Sequence, residues 1–308
     1  MTPLWVTKYA PADFTEYCFD SLETRSAVTE LLRKNNLPHC LFVGPPGTGK
    51  STLARLLIDT FEIDPTDVLV HDASVENNVD IVRTKIHNFA TTSSWGGMKV
   101  VLLEEADRMS EAALDTLREL MVRYSDDVRF ILTGNNEHRI TDAIKSRCHT
   151  YTFTGMPLNT ALKRAASILL AENVEFDLDD VQDLVRRTLP DFRRIVNTLE
   201  KQTIAGKFVP APMGSEAVSE FVKTGNFDGL IDWGKTVAQP SQISNEYTTM
   251  FNSLFENSVF ANSYEKMDDG LIAIAKYLHQ SKGSADPVIC FVAAAAELRM
   301  IHNRKTKP

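Results

Sequence analysis

Residues 44–52, GPPGTGKST, contain the residue types that bind the phosphates of a nucleotide. They match the pattern G-x-x-x-x-G-K-S/T, and they follow a short apolar run and open a helix-like one. In such a loop the backbone amides surround the β-phosphate, Lys50 reaches the β and γ oxygens, and Ser51 binds Mg²⁺. The strand–loop–helix context argues against a chance glycine-rich turn. The residues predicted to bind the nucleotide here are Gly44, Pro45, Pro46, Gly47, Thr48, Gly49, Lys50, Ser51 and Thr52.

Two adjacent carboxylates, Glu104 and Glu105, directly follow the apolar residues of the segment VVLLEEAD. A carboxylate at the end of such a strand can hold Mg²⁺ through water, and its neighbour can orient and polarise an attacking water. We therefore assign Glu104 to the metal and Glu105 to the water. The alternative is the acidic start of a solvated helix, which the helix dipole would also favour. The nearby phosphate loop favours the metal and water roles.

Three more polar residues lie at or near strand-like or helical runs and are candidates for the same site. Asn135 ends FILTGNN, on a strand predicted to neighbour the acidic pair, and is expected to position the water or to sense the γ-phosphate. Arg193, in PDFRR, is placed to contact the γ-phosphate from above. A turn-forming asparagine and a solvated helix charge are the respective alternatives. Arg147, in KSRC, precedes an alternating, strand-like run, which raises the question of which negative charge it meets.

These residues fall at the ends of apolar runs that alternate with helix-like segments. The predicted strands lie in HCLFV, DVLVHDAS, MKVVLLEEAD, VRFILTGNN and HTYTF. Strands alternating with helices of this length predict an α/β fold with a parallel, doubly wound sheet. Functional residues in such sheets lie at the carboxyl ends of the strands, and the polar clusters of this sequence fall there.

After Pro157 the pattern changes to helices alone, which predicts two further units. We place the first domain at residues 1–156, a small helical domain at 157–208 and an all-helical domain at 209–308. The segment GKFVPAPMGS, residues 206–215, has the glycine and proline content of a linker. About five helices are expected beyond it, the last one opening with Asp286 and Pro287 as cap and first-turn residue.

Composition and charge restrict the class of protein. The 308 residues are 43% hydrophobic and 24% charged, as in an ordinary globular protein, and no apolar run reaches the roughly 18 residues of a membrane span. The first residues lack a basic segment followed by an apolar core, so no signal peptide is expected. Four cysteines without a C-x-x-C pair favour reduced thiols in the cytoplasm over a zinc site. The net charge of −8 argues against a protein that coats nucleic acid with its whole surface, although a local basic stripe would still bind phosphates.

The phosphate loop, the acidic pair, GNN, SRC and PDFRR, in this order, resemble AAA+ ATPases, specifically the ATPase subunits of sliding-clamp loaders. LPHCLFVGPPGTGKST is similar to the family's LPHLLFYGPPGTGKT, and KSRC is similar to its QSRC. DASVENNVDIVRTKIHNFA is similar to NASDERGIDVVRxxIKxFA. The resemblance is close over residues 5 to about 200 and rests on position and character beyond them. The short length, LPDFRR and the absence of a cysteine-rich zinc insert most resemble the T-even-type bacteriophage subunit, with replication factor C small subunits nearly as close.

The resemblance implies a AAA+ P-loop domain with a parallel sheet, followed by a helical lid and an all-α collar domain that forms oligomers. It also implies an ATP-hydrolysing motor subunit, with ATP and magnesium as cofactors, that opens a ring-shaped sliding clamp and loads it onto primer–template DNA during replication. Sister subunits would be its partners, four such chains forming a pentamer with one smaller protein. The expected location is the cytoplasm, or the host cytoplasm for a virus.

The resemblance further assigns roles to single residues. Arg193 matches the second sensor arginine, which acts on the chain's own ATP, and Arg147 matches the arginine finger, which completes the site of the neighbouring subunit. Cys18 would lie beside the adenine. Because TKYAP matches the family's KYRP, four more residues are expected near the nucleotide: Val6, Thr7, Lys8 and Tyr9. Four others would line the central chamber and bind DNA phosphates without reading bases. They are Arg83, Lys85, Arg108 and Arg118, and scattered solvated charges are the alternative.

Three residues depart from the family pattern. Ala10 stands where the family has arginine, so this chain lacks one interaction near the nucleotide. Glu104 replaces an aspartate and is one methylene longer, so the Mg²⁺ geometry has to adjust and hydrolysis is expected to be weaker. Asp72 replaces an asparagine that restrains the catalytic glutamate until DNA binds, and a carboxylate there would either repel Glu105 or share a proton with it.

Two other functions stay open at this point. One is a different AAA+ remodeller, such as a branch-migration helicase or an initiator, which would carry an extra DNA-reading domain; the all-helical tail argues against it. The other is a structural clamp loader subunit that binds nucleotide without turning it over. Lys50, Glu105 and Arg147 argue against that role, whereas Glu104 and Asp72 favour it. The loop at residues 91–99 and the preceding helix are candidates for clamp contact by analogy alone.

Overall fold

A computed structural model of the chain describes residues 3–75, 79–94, 97–210, 218, 221–225, 230, 247, 264–281, 283–284 and 287–304. The chain forms two compact units, Met1–Val209 and Pro210–Pro308. Among the helices of the described residues, none combines the length and the apolar character that crossing a membrane requires.

The first unit contains a five-stranded sheet. Its strands are β1 Cys40–Val43, β2 Val68–Asp72, β3 Lys99–Glu104, β4 Val128–Gly134 and β5 His149–Thr152. The spatial order is β2-β3-β4-β1-β5, and every pairing is parallel, which confirms the predicted parallel sheet. β4 therefore lies between β1, which leads into the phosphate loop, and β3, which ends in Glu104.

Helices cover both faces of the sheet, and those after β1 connect its strands. A short helix, α1 Trp5–Lys8, comes first and packs apart from the sheet, with Trp5 against the cluster that contains Leu169 and Val185. The helices on the sheet are α2 Leu22–Lys34, α3 Lys50–Thr60, α4 Val79–Thr91, α5 Glu111–Arg123 and α6 Asp142–Lys145. Parallel strands require such crossovers, because each connection has to return to the starting edge of the sheet. Ser110 is the N-cap of α5, and its hydroxyl accepts a hydrogen bond from the Ala113 amide at 3.2 Å.

Alternate side chains of the three central strands, β1, β3 and β4, enter two apolar cores, one on each face of the sheet. One core contains Leu41, Val101 and Leu117 of α5, and the other contains Phe42 and Leu57 of α3. Because both faces are buried, apolar residues occupy successive positions of a strand instead of alternating with polar ones. This explains why these three strands appear in the sequence as continuous apolar runs, whereas the edge strand β5 alternates.

A small helical part of the first unit follows the sheet. Its elements are α7 Leu158–Ala171, α8 Leu178–Thr188, α9 Phe192–Gln202, β6 Thr203–Ile204 and β7 Lys207–Phe208. They enclose a separate apolar cluster that includes Leu169, Val185 and Phe208. The prediction of helices alone is wrong for residues 203–208, which form a hairpin. Ala205 and Gly206 have φ of 50° and 80°, the left-handed pair that a two-residue hairpin turn uses.

Two long helices, α10 Tyr264–Ser281 and α11 Pro287–Asn303, belong to the second unit. Ala273 of α10 and Phe291 of α11 are buried in one cluster. The rings of Phe291 and Tyr247 pack edge to face, with their centroids 5.2 Å apart. Half of the predicted linker (residues 211–215), most of the helices expected before α10, and Asp286 as a cap lie outside the described residues.

Gly44→Ala is expected to lower the free energy of unfolding by at least about 2 kcal/mol. Gly44 has a φ of +148°, and a Cβ there would lie 2.2 Å from the Phe153 carbonyl oxygen, a backbone atom that cannot rotate away. Urea denaturation measures the loss. Gly97→Ala is the matched control, because Gly97 also has a positive φ of +84° but nothing lies within 4 Å of its Cβ position. Equal losses in both variants would contradict the steric role of Gly44.

Candidate nucleotide-binding site

The loop between β1 and α3 is shaped by its glycines and tied to the sheet. Gly47 and Gly49 have φ of +71° and +95°, a region that residues with a Cβ rarely adopt. The Gly44 amide donates to the Gly134 carbonyl at 3.2 Å, which joins the loop to the end of β4. The Tyr17 hydroxyl donates to the Gly49 carbonyl at 3.3 Å. α3 begins directly after Gly49, so the loop and the helix N-terminus form the arrangement that binds phosphate in this motif.

Lys50 is buried, with 7% of its surface exposed. Its ammonium donates to the carbonyls of Gly44 at 2.8 Å and Pro45 at 2.7 Å, and to Asn135 Oδ1 at 3.0 Å. An ammonium has three donors, so these oxygens use all of them. Burial lowers the pKa of Lys50 to about 8, because the charged form loses hydration. The structure thus brings together two residues that the sequence assigned separately, Lys50 and Asn135.

Asp107 holds the end of β4 in place, a role that was missed in the sequence. Its two carboxylate oxygens accept hydrogen bonds from the amides of Asn135 at 3.0 Å and Asn136 at 3.2 Å, and only 7% of the residue is exposed. Hydrogen bonds to a charged acceptor are stronger than those between neutral groups, so Asp107 fixes the backbone that carries the Asn135 side chain. The only signal was the acid that follows the pair in EEAD.

Glu105 lies in the turn after β3 with a left-handed φ of 54°. Its amide donates to Thr133 Oγ1 at 3.3 Å, which ties the turn to β4. Its carboxylate forms an ion pair with Arg108, with Arg108 Nε 2.6 Å from Glu105 Oε2. Arg108, predicted to bind DNA, therefore also contacts the residue predicted to polarise the attacking water.

Glu104, the predicted metal ligand, pairs with an arginine on α3. Arg55 Nη2 lies 3.3 Å from Glu104 Oε1, and 19% of the Glu104 side chain is exposed. The register places Asp72 of β2 beside Glu104. Hydrogen bonds from the Ser74 hydroxyl and amide lower the pKa of Asp72 and keep it ionised. An ionised Asp72 argues against the alternative in which Asp72 and Glu105 share a proton.

One cavity of about 520 Å³ joins the phosphate loop to the acidic residues. Its lining contains Ala10, Pro11, Ala12, Ser51, Thr52, Arg55, Leu56, Asp59, Asp72, Glu104, Glu105 and Arg193. The structure thus brings Ser51, both glutamates and Arg193 together, as the motifs predicted. Mg²⁺ in phosphate-transfer sites keeps several waters and binds one or two carboxylates together with substrate phosphates. The hydroxyl of Ser51 and the carboxylate of Glu104 fit that requirement.

The start of α9 touches the phosphate loop. The Phe192 amide donates to the Gly47 carbonyl at 3.1 Å. Asp191 caps the helix, with Oδ1 accepting from the Arg194 amide at 3.0 Å. A Cβ on Gly47 would lie 1.7 Å from the same Asp191 oxygen. The loop and the segment that carries Arg193 are therefore in direct contact.

The N-terminal segment predicted near the nucleotide packs against α7 and its C-cap. The Lys8 ammonium and the Tyr9 hydroxyl donate to Glu172 Oε1 at 2.7 and 2.8 Å, and Arg164 donates to the Tyr9 carbonyl at 3.1 Å. Val6 and Thr7 lie in α1 of the same segment. The residues that follow, 10–12, line the 520 Å³ cavity, whereas residues 6–9 do not. Cys18 lines a different cavity of about 750 Å³, together with Tyr17 and Phe19.

Arg147 is exposed and follows Ser146, the C-cap of α6. Its guanidinium donates to the Ala143 carbonyl at 2.6 Å, and it forms no ion pair with any residue that the structure describes. It does not line the 520 Å³ cavity. The structure therefore does not bring Arg147 to the site formed by Lys50, Glu105 and Arg193.

The remaining residues predicted to bind DNA lie on two neighbouring helices. Arg83 and Lys85 are exposed on α4, and Arg118 is half-buried on α5, 3.9 Å from Glu119. α4 and α5 pack against each other. The four predicted cations thus divide into three on this helix pair and one, Arg108, beside Glu105.

Comparison with known proteins supports the domain type. Residues 40–156 match the family described as ATPase family associated with various cellular activities (AAA). This segment is therefore a AAA domain. The replication factor C small subunit of Archaeoglobus fulgidus is 36% identical over 212 residues, which cover 68% of this chain and 66% of the relative. Replication factor C subunit 3 of Saccharomyces cerevisiae is 33% identical over 200 residues, which cover 64% and 58%. The matches thus span a little less than two thirds of the relatives' own length.

A solved structure of the Thermotoga maritima RuvB Holliday junction branch migration motor shares the fold. Its TM-score is 0.53, and the alignment covers 94% of this chain and 91% of that one. A second RuvB structure from the same organism has the same TM-score over 82% and 80% of the two chains. The sequence identity is 16% in both cases, so the likeness concerns the fold alone.

Asp107→Ala is expected to lower the free energy of unfolding by about 2 kcal/mol, because two backbone amides would lose their hydrogen bonds to a buried carboxylate. Urea denaturation followed by circular dichroism measures the change. Asp142→Ala is the control, since the Asp142 side chain is fully exposed at 100%, and we expect it to cost less than about 0.5 kcal/mol. If Asp107→Ala costs no more than this control, Asp107 does not anchor the end of β4.

Proposed function

We propose that this chain is the ATP-hydrolysing motor subunit of a DNA polymerase sliding-clamp loader, which opens the clamp and loads it onto primer–template DNA. The observation that carries the proposal is the convergence of three strand ends at one edge of the sheet, where Lys50 contacts Asn135 and the adjacent cavity contains Ser51, Glu104 and Glu105. The loop with Lys50 follows β1, the pair Glu104 and Glu105 ends β3, and Asn135 follows β4. Identities of 33–36% to replication factor C subunits support a clamp loader over other proteins with this domain.

The residues of the chain would supply the positioning and the charge that transfer of a phosphoryl group to water requires. The loop amides and Lys50 would bind the β and γ oxygens of ATP, and Ser51 and Glu104 would hold Mg²⁺. When bound, Mg²⁺ would supply positive charge that offsets the charge developing on the phosphates. Glu105 would orient and polarise the attacking water, and Arg193 would contact the γ-phosphate.

The hydrogen bonds of Lys50 suggest how Asn135 would respond to ATP. All three donors of the Lys50 ammonium are used by protein oxygens. Lys50 can therefore bind a phosphate oxygen only by giving up at least one of these partners. If it gives up Asn135 Oδ1, that oxygen becomes available to the attacking water, while Asp107 keeps the Asn135 backbone in place. Asn135 would thus serve both of the roles predicted for it, as sensor and as water-positioning residue.

Arg147 would complete the ATP site of a neighbouring subunit. Its exposed guanidinium is held by the Ala143 carbonyl and lies outside the chain's own cavity. An arginine supplied from a neighbour stabilises the charge of the transition state and accelerates hydrolysis about 10³-fold or more. This division of the site would make hydrolysis depend on assembly with sister subunits.

Arg147→Ala should leave ATP binding by the isolated chain nearly unchanged and remove most hydrolysis by the complex in the presence of clamp and primed DNA, a loss of about 10³-fold. Glu105→Gln should bind ATP without turning it over, because an amide cannot polarise water. A mixture of the two inactive proteins pairs an intact Glu105 with an intact Arg147 at some interfaces. We therefore expect part of the steady-state ATPase activity to return on mixing.

The mixing experiment also shows whether Arg147 acts in a neighbour's site, in its own site or only in the fold. A mixture that assembles normally and stays as inactive as either parent would place Arg147 in its own site or in the fold. A double variant carrying both substitutions, mixed with an excess of Glu105→Gln, is the control and should stay inactive. Absence of ATPase activity in the unchanged complex with clamp and primed DNA would contradict the proposed function itself.

DNA binding is proposed to use the α4 and α5 face. Arg83 and Lys85 are exposed on α4, and Arg118 lies on the neighbouring α5. Because the chain carries a net charge of −8, an isolated subunit should bind DNA poorly, whereas an assembly would place several such faces around one duplex. Cations that contact phosphates release counterions and make binding depend steeply on salt.

The double variant Arg83→Ala, Arg118→Ala should weaken binding of the ATP-bound complex to primed DNA on all sequences. The slope of log affinity against log salt should fall by about one for each cation–phosphate pair that the substitutions remove. Fluorescence anisotropy at several salt concentrations measures both effects. Arg33→Ala is the control, because Arg33 is an exposed arginine paired with Glu30 on α2, outside the proposed face. A slope that matches the control would contradict the assignment.

Finer features of the assembly are part of the same proposal. Exposed apolar residues on α11, Ile289 at 67% and Met300 at 73%, support contacts of the second unit with sister subunits in a collar. The expected stoichiometry is four such chains with one smaller partner.

LPDFRR supports a viral replication protein that acts in the host cytoplasm. Val6, Thr7, Lys8, Tyr9 and Cys18 remain proposed neighbours of the nucleotide.

A further inference from the structure

Arg55 lies beside the predicted metal ligands although the phosphate-binding motif gives it no role. Ser51, Arg55 and Asp59 are spaced by four residues on α3, so they lie on one face of the helix. All three line the 520 Å³ cavity. Arg55 is thus on the same helix face as the hydroxyl assigned to Mg²⁺, one turn further along.

The side chain of Arg55 faces the carboxylate of Glu104. One guanidinium nitrogen, Nη2, lies 3.3 Å from Glu104 Oε1 and 3.5 Å from Oε2. It therefore faces both of the oxygens that could bind a metal ion. The Glu104 side chain is 19% exposed and that of Arg55 is 63% exposed, so the carboxylate is the more desolvated partner.

The cavity carries more negative than positive side chains, so the loss of one arginine would change its electrostatics. Its lining contains four carboxylates, those of Asp59, Asp72, Glu104 and Glu105, and two arginines, Arg55 and Arg193. Glu105 has Arg108 as its ion-pair partner. Among the described residues, Arg55 is the cation that pairs with Glu104. Removing Arg55 would therefore leave the metal-binding carboxylate without its countercharge.

We infer that Arg55 competes with Mg²⁺ for Glu104 and thereby sets the Mg²⁺ concentration that nucleotide binding requires. The inference rests on the proposed function, which assigns Glu104 to the metal. A guanidinium and a cation that both approach the same carboxylate oxygens repel each other and exclude each other sterically. Arg55 also supplies positive charge to a nucleotide bound without metal. Its loss should therefore strengthen the binding of Mg²⁺ and weaken the binding of the metal-free nucleotide.

The test is equilibrium binding of a fluorescent, non-hydrolysable ATP analogue to the full chain, with Mg²⁺ titrated from EDTA upward. In Arg55→Gln the half-saturating Mg²⁺ concentration should fall by roughly threefold, the size expected for a partly exposed ion pair. Nucleotide affinity in EDTA should fall as well. Arg55→Lys keeps the charge and should restore most of the wild-type behaviour. Arg33→Gln breaks a comparable exposed ion pair with Glu30 outside the cavity and should change neither quantity.

A double-mutant cycle tests whether Arg55 acts through Glu104. Glu104→Asp shortens the side chain by one methylene and should remove the contact with Arg55. In that background Arg55→Gln should not shift the Mg²⁺ midpoint further. Equal weakening of nucleotide binding with and without Mg²⁺ would instead show that Arg55 contacts the phosphates, and would overturn the inference.

Two outcomes distinguish failure of this inference from failure of the proposed function. If Arg55→Gln binds nucleotide with a Mg²⁺ midpoint within about 1.3-fold of wild type, less than an ion pair in competition would produce, the role of Arg55 is wrong and the nucleotide site stands. If the unchanged chain binds no nucleotide at any Mg²⁺ concentration, both are wrong. Thermal unfolding of each variant shows whether a change in binding follows from a loss of stability.

Discussion

The parallel pairing of β1 with β4 is the constraint on which the candidate site depends. The register places Val43 beside Gly134, and the Gly44 amide extends the ladder by donating to the Gly134 carbonyl. The phosphate loop therefore begins where β4 ends, and the Lys50 ammonium reaches Asn135 directly. A parallel sheet brings the carboxyl ends of its strands to one edge. The backbone thus brings the phosphate loop and the predicted sensor, Asn135, together, and the Lys50 side chain then completes their contact.

The turn after β3 adds a second level of organisation. It carries Glu105, which would polarise water, Asp107, which anchors the backbone of Asn135, and Arg108, which pairs with Glu105. The predicted water polarisation, the anchoring of β4 and the predicted DNA contact thus lie within four consecutive positions, residues 105–108. A DNA phosphate that attracted Arg108 would change the electrostatic surroundings of Glu105 through a single ion pair. DNA contact and hydrolysis would then be coupled within one subunit, through the ion pair between Arg108 and Glu105.

The sheet and the convergence of strand ends could be predicted because they follow from local rules. Continuous apolar runs, the Ser110 cap and the loop motif each depend on residues that are close in sequence. The missed features depend on partners far apart in the chain. Arg55 and Glu104 are 49 residues apart, Asp107 and Asn135 are 28 apart, and Lys8 and Glu172 are 164 apart. Such pairs form only after the sheet and the helices have set the distances, so neither spacing nor composition reveals them.

Gly47 shows how one residue can meet two requirements at once. Its φ of +71° helps to shape the phosphate loop, and its missing Cβ leaves room for the Asp191 carboxylate, which would otherwise lie 1.7 Å from it. Asp191 in turn caps α9, and the Phe192 amide donates to the Gly47 carbonyl. Arg193 is the next residue along, so its backbone is positioned against the loop that would hold the phosphates. A side chain at position 47 would disturb the loop and displace the start of α9 together. The glycine in this motif therefore serves the placement of Arg193, the predicted second sensor, as much as the predicted binding of phosphate.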